Sequence, residues 1–177
     1  MFELARFAGT SGRGIIVQTR KGHEGELENY IAPEVTTQSA NLYAAKRNRH
    51  PNWIQRKPAT GVYNCAGMVW ASRRTTLPNP SDWQKVLHED NYRPLQASEV
   101  PHVGDLVIYR RKNHAEILHV ASVFSIHRLD DHDPNSRVAI RALSKWDNQS
   151  GEDSHALDDL VLNGGEEYVR EFWTDRP

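Results

Sequence analysis

The chain is poor in cysteine: Cys65 is the only one among 177 residues. An internal disulfide is thereby excluded, and with it the small stapled scaffolds of many secreted proteins. An excess of either charge is also missing, since 22 Lys and Arg stand against 23 Asp and Glu. The resulting net charge of -1 argues against general attraction to nucleic acid or to an anionic membrane surface. No apolar run approaches the roughly 20 residues of a membrane span. The opening Met1-Phe2-Glu3-Leu4-Ala5-Arg6 lacks a signal-peptide core. A cytoplasmic protein is therefore expected, with signal-independent export as an effector the route that would leave no trace.

Repeats, low-complexity tracts and linkers are absent too, so residues 1–177 are read as one domain, long enough to bury a substantial core. The histidines and acids at His114, His119, His127, Asp130, Asp131, His132 and Asp133 are of metal-ligand type. Their spacing fits neither HExxH nor paired cysteines, and the acidic loop lacks the calcium-loop glycine and glutamate. No metal and no cofactor are expected. The glycine-rich stretch Gly9-Thr10-Ser11-Gly12-Arg13-Gly14 has no Gly-Lys-Ser/Thr ending and reads as a turn rather than a phosphate cradle.

What is present falls into an order. A short strand candidate at Ile15-Ile16-Val17 precedes a helix over 38–49. Asn64 is a favoured cap type and places Cys65 in the first turn of a second helix, with Met68 and Val69 on its stripe. Pro78-Asn79-Pro80 breaks the chain, and Ser81 caps a short helix from Asp82 to about Glu89. Strands are expected at Leu106–Tyr109, Ile117–Phe124, Arg137–Ser144 and Tyr168–Trp173, with Arg110–Asn113 and Leu129–Asn135 as connections. Helices first and antiparallel strands after make an α+β fold.

Cys65 carries the chemical interest, because first-turn N–H groups and the helix dipole stabilise a thiolate and could hold an oxyanion. A buried core cysteine is the plain alternative. A nucleophile needs a base, and strand alternation puts His119 on one face with Ala121 and Val123, opposite Leu118, Val120, Ser122 and Phe124. The His119 face is expected to pack against a helix, so that His119 would serve Cys65 as base. Ser144 would lie beside it on the next strand. Ser144, Asp147, Asn148 and His155 are all candidates to fix the imidazole, and the residues alone do not choose among them.

Tyr63-Asn64-Cys65-Ala66-Gly67-Met68-Val69 resembles the aromatic-Asp-Cys-Ser-Gly-Phe-Val signature of NlpC-type cysteine peptidases and the related CHAP amidases. Gly104-Asp105-Leu106-Val107 resembles their Gly-Asp-Leu-Val strand entry, and His119-Val120-Ala121-Ser122-Val123 their His-Val-Ala/Gly-Ile-Val strand. The three occur in the family's order and cover residues 60–146. The segment Ser144-Lys145-Trp146, followed by Gly151 and His155, is similar to a pattern in poorly characterised relatives. Asn64 stands where the family has Asp, and Ala66 where it has Ser.

The resemblance implies a papain-like fold with Cys65 as nucleophile, His119 as base, and Ser144 or His155 near the third position. Asn64 and Trp146 are the expected substrate contacts. The implied activity is hydrolysis of an amide, isopeptide or thioester bond in a peptide or amide substrate, peptidoglycan-derived ones included. Two other readings stand beside it. One is a catalytically inactive scaffold acting as a binding or interaction module. The other is a nucleic-acid binder using the basic stretch 46–57 with Lys46, Arg47, Arg49, Trp53 and Arg56, against which the overall charge counts.

Overall fold

A computed structural model of the chain describes residues 15–112, 114–130, 132–133, 137–159 and 167–177. Among the described residues three α-helices, α1 (Thr37–Asn48), α2 (Cys65–Trp70) and α3 (Pro80–Glu89), accompany seven strands. These are β1 (Ile54–Lys57), β2 (Arg93–Pro94), β3 (Leu106–Arg111), β4 (Ile117–Arg128), β5 (Val138–Lys145), β6 (Glu152–Ala156) and β7 (Tyr168–Thr174). They form one antiparallel sheet in the order β1-β6-β5-β4-β3-β7-β2. The fold is α+β. The strand expected at 15–17 is absent; that stretch leads only into an isolated bridge between Gln18 and Glu26. The glycine-rich turn at 9–14 lies outside the described residues. No helix among the described residues is long and apolar enough to cross a membrane.

The helix starts follow from their caps. Thr36 accepts the Ser39 N–H at the head of α1, and Asn79 accepts the Ser81 N–H ahead of Pro80 in α3. Asn64 does more. Its Oδ1 accepts the N–H of Gly67 at 2.8 Å and of Leu77 at 3.2 Å, while its Nδ2 donates to the Leu77 carbonyl at 2.8 Å. One buried amide thus starts α2 and ties it to the chain thirteen residues on. Gly67 is required by the same close packing, since a Cβ there would come within 1.8 Å of the Thr75 carbonyl oxygen.

The sheet has two covered faces, separated by the pleat. On the first, Leu106, Ile108 and Val120 pack with Cys65 and Ala66 of α2 and with Trp83, Val86 and Leu87 of α3. On the second, Val107, Tyr109, Ala121, Val123 and Ala142 pack with Phe172 and Tyr168 of β7 and with Leu157. Two register shifts in β4 set these faces. Tyr109 pairs with His119 but Arg110 with Ile117, leaving Leu118 unpaired; further on, Val123 pairs with Ala142 and Ser125 with Arg141, leaving Phe124 unpaired.

The side-chain sets expected from alternation are the ones found, but their orientation is reversed. Val120, not His119, faces the helices. His119 packs instead on the second face, where its ring meets those of Tyr109 and Trp146. Because the carboxylate of an aspartate cannot donate to Leu77, Asn64→Asp is expected to lower stability by about 1–3 kcal/mol, read as a lower urea midpoint at unchanged slope.

Candidate functional site

Cys65 opens α2 as expected, but its surroundings are apolar. It is 7% exposed, and burial pushes its thiol up to about 11, against the smaller lowering effects of the Val120, Ala66 and Cys65 backbone and of Lys145. No hydrogen bond joins Cys65 to a histidine among the described residues. The charge that acts on the thiol is that of Lys145, whose ammonium is buried and donates to the carbonyls of Thr60 (2.8 Å) and Ser150. Burial brings that lysine down to about 8, opposed by Asp147 and Glu152, and its Nζ lies 5.1 Å from the Tyr63 ring centre. Tyr63 in turn donates to Glu152 at 2.7 Å, and Arg73 makes a two-point contact with the same carboxylate.

His119 lies on the opposite side of the sheet. Its ring is paired across the ladder with Tyr109 (5.7 Å between centres) and lies nearly parallel to Trp146 at 6.1 Å. The imidazole is 4% exposed, and its Nε2 has no hydrogen-bond partner. Burial, followed by the charges of His155 and Lys46, pulls it down to about 3, so it is neutral at physiological pH. The expected pairing of Cys65 with His119 is therefore not formed in this structure. The sheet itself stands between the two side chains.

The candidates for the third position divide. Ser144 and His155 sit on the His119 face, both fully buried, with Ser144 Oγ 2.8 Å from His155 Nε2. His155 Nδ1 lies 2.7 Å from the Ala156 carbonyl, which can only accept, so Nδ1 carries the proton and Ser144 donates to Nε2. Asp147 and Asn148 turn away instead. Asp147 accepts the Gln149 N–H, and Asn148 donates to Tyr30. Asn64 is occupied by its three structural hydrogen bonds.

Sequence reasoning missed what surrounds Trp146. It stacks on Trp53 at 4.0 Å, and His50 stacks on Trp53 at 4.1 Å. Lys46 Nζ is 4.9 Å from the Trp146 ring centre. Below them Asp153, fully buried, accepts from Tyr43 Oη (2.8 Å), Arg47 Nε (3.0 Å) and Trp146 Nε1 (3.2 Å). Much of the basic stretch is thus spent inward, and Trp53 is buried rather than offered to a base. No signal in the local sequence marks Asp153, which lies on a strand of polar residues. Among the described residues no cluster of three His, Cys, Asp or Glu side chains could hold a metal ion.

No protein-family model, curated protein or solved structure matches this chain.

The neutral, buried His119 has a consequence for acid stability. In the unfolded chain its ordinary value is 6.5, whereas in the fold it is about 3. The unfolded state therefore binds the proton first, and stability falls as pH drops from about 6.5 towards 3. His119→Phe removes that titration and should flatten the fall in melting temperature across this window. His155, also lowered by burial, continues to titrate, so some of the slope persists.

Proposed function

We propose that the chain works as a binding or interaction module built on a papain-like order of elements, without thiol catalysis. The observation that carries this reading is the separation of Cys65 and His119 by the sheet, with the thiol buried and pushed up to about 11. A thiol of that kind has almost no thiolate at neutral pH, and an imidazole held down to about 3 cannot act as its base across the sheet. Ser144 and His155 form a satisfied buried pair, which supports a packing role for them. Of the polar groups that sequence reasoning gathered into one site, Ser144, His155 and Trp146 are used to hold the second face of the sheet together.

A cysteine hydrolase acting on a peptide, amide, isopeptide or thioester substrate is the second reading. It draws on the ordered motifs and on the place of Cys65 at the Asn64-capped start of α2, where first-turn N–H groups converge. It requires His119 to reach the other face of the sheet.

The pH profile of Cys65 alkylation by iodoacetamide separates the two. For the binding module, labelling is slow below about pH 9 and changes little in His119→Ala once folding of the variant has been checked by circular dichroism. Rapid labelling below about pH 8.5 that slows in His119→Ala would replace this reading with the hydrolase.

A further inference from the structure

The two ends of the sheet are unlike. At one end, β2 is two residues long and finishes on Pro94, which has no N–H to offer. At the other, β1 pairs with β6 along one side only, with a register shift at Arg56 between Gln55 and Lys57, and among the described residues no backbone partner lies on its other side. All four of its residues, Ile54-Gln55-Arg56-Lys57, are exposed. None is proline. An open strand edge of this sort can take one more strand through main-chain hydrogen bonds.

The two faces of β1 differ in chemistry. Gln55, paired with Asp153, belongs to the face beneath α1, where a groove of about 530 Å³ runs between helix and strand, lined by Thr36, Ala40, Tyr43, Ala44, Arg47 and Gln55. In that groove Arg47 is already bonded to Asp153 and Gln55. The register shift at Arg56 brings two consecutive residues to the opposite face, where Arg56 lies over the Phe124 ring at 4.7 Å and Lys57 pairs in backbone register with Glu152. Arg56 and Lys57, together with exposed Arg49, have no ion-pair partner among the described residues. One side of an added strand would thus meet Val35, Ala40, Ala44, Pro58 and Ala59 of that groove and the other would meet the unpaired cations.

We propose that the free edge of β1 receives an extended segment of a partner protein in which acidic and small apolar residues alternate. The period of two follows from the strand geometry, and the acidic character from the cations of Arg56 and Lys57. A second copy of the chain fits poorly, because its own β1 would bring Arg56 and Lys57 against like charges. The inference deepens the binding-module reading and rests on it. The two remain separable, since Cys65 alkylation tests that reading and peptide titration tests this one.

The experiment titrates the full chain with a fluorescent, end-blocked octapeptide of alternating Glu and Val. Two further octapeptides carry N-methyl groups along one or the other edge, and a fourth alternates Lys and Val. Saturable binding of the Glu-Val peptide is expected, lost on methylating one edge and absent for Lys-Val. The double substitution Arg56→Glu and Lys57→Glu, on exposed side chains, should weaken it by about tenfold with an unchanged circular dichroism spectrum. Three results would overturn the proposal. They are no saturable binding, equal binding of the parent and both methylated peptides, or tighter binding of a single-stranded oligonucleotide than of the peptide.

Discussion

Side chains along a strand alternate between faces, and in β4 that alternation is reset twice, where Leu118 and Phe124 fall out of register with their neighbours. Everything chemical in the molecule is sorted by this pleat. Val120 goes to α2 and α3, His119 to Tyr109 and Trp146, and Cys65 meets only the first group. A nucleophile and a base can share an antiparallel sheet and still be insulated from each other by the thickness of one backbone layer. On the face it occupies, the imidazole is held by ring contacts with Tyr109 and Trp146, and its Nε2 is left without a hydrogen-bond partner.

The elements that were legible in the sequence are those whose signal is local. Asn64 marks the start of α2, and the apolar runs of β3 and β4 mark buried strands, whereas α3 begins at Pro80 on an Asn79 cap, two residues ahead of the Ser81 cap read from the sequence. β1 and β6 were not legible. Ile54-Gln55-Arg56-Lys57 and Glu152-Asp153-Ser154-His155-Ala156 have no apolar period, and β6 is a strand whose side chains find their partners far away in sequence, with β1 pairing along it. Glu152 takes Tyr63 and Arg73, Asp153 takes Tyr43 and Arg47, and His155 takes Ser144. Tertiary pairing overrides local propensity there.

The site was legible in the same partial way. Alternation correctly groups His119 with Ala121 and Val123, and it brings Ser144 to that face. It does not say which group meets the helices, because a period of two is unchanged when the faces are exchanged. The buried Lys145 was invisible for a related reason, since nothing local distinguishes a lysine that solvates its ammonium with the carbonyls of Thr60 and Ser150 from one in water. The departure of Asn64 from the aspartate of the resembling family does have a local physical basis, in the donor that Leu77 needs.

Asp153 also shapes how the molecule comes apart. Of the twelve residues of α1 only Tyr43 is buried, while Leu42 is 65% exposed, so the helix is joined to the sheet chiefly by polar anchors. Tyr43 and Arg47 end on one carboxylate, and Lys46 rests on Trp146. Such a helix is a separate unit of local unfolding: it can lift away when a few hydrogen bonds break together, at a free energy well below that of opening the sheet. Its departure would uncover Trp146, the aromatic stack and the buried histidines behind them, and leave α2, α3 and the first face of the sheet in place.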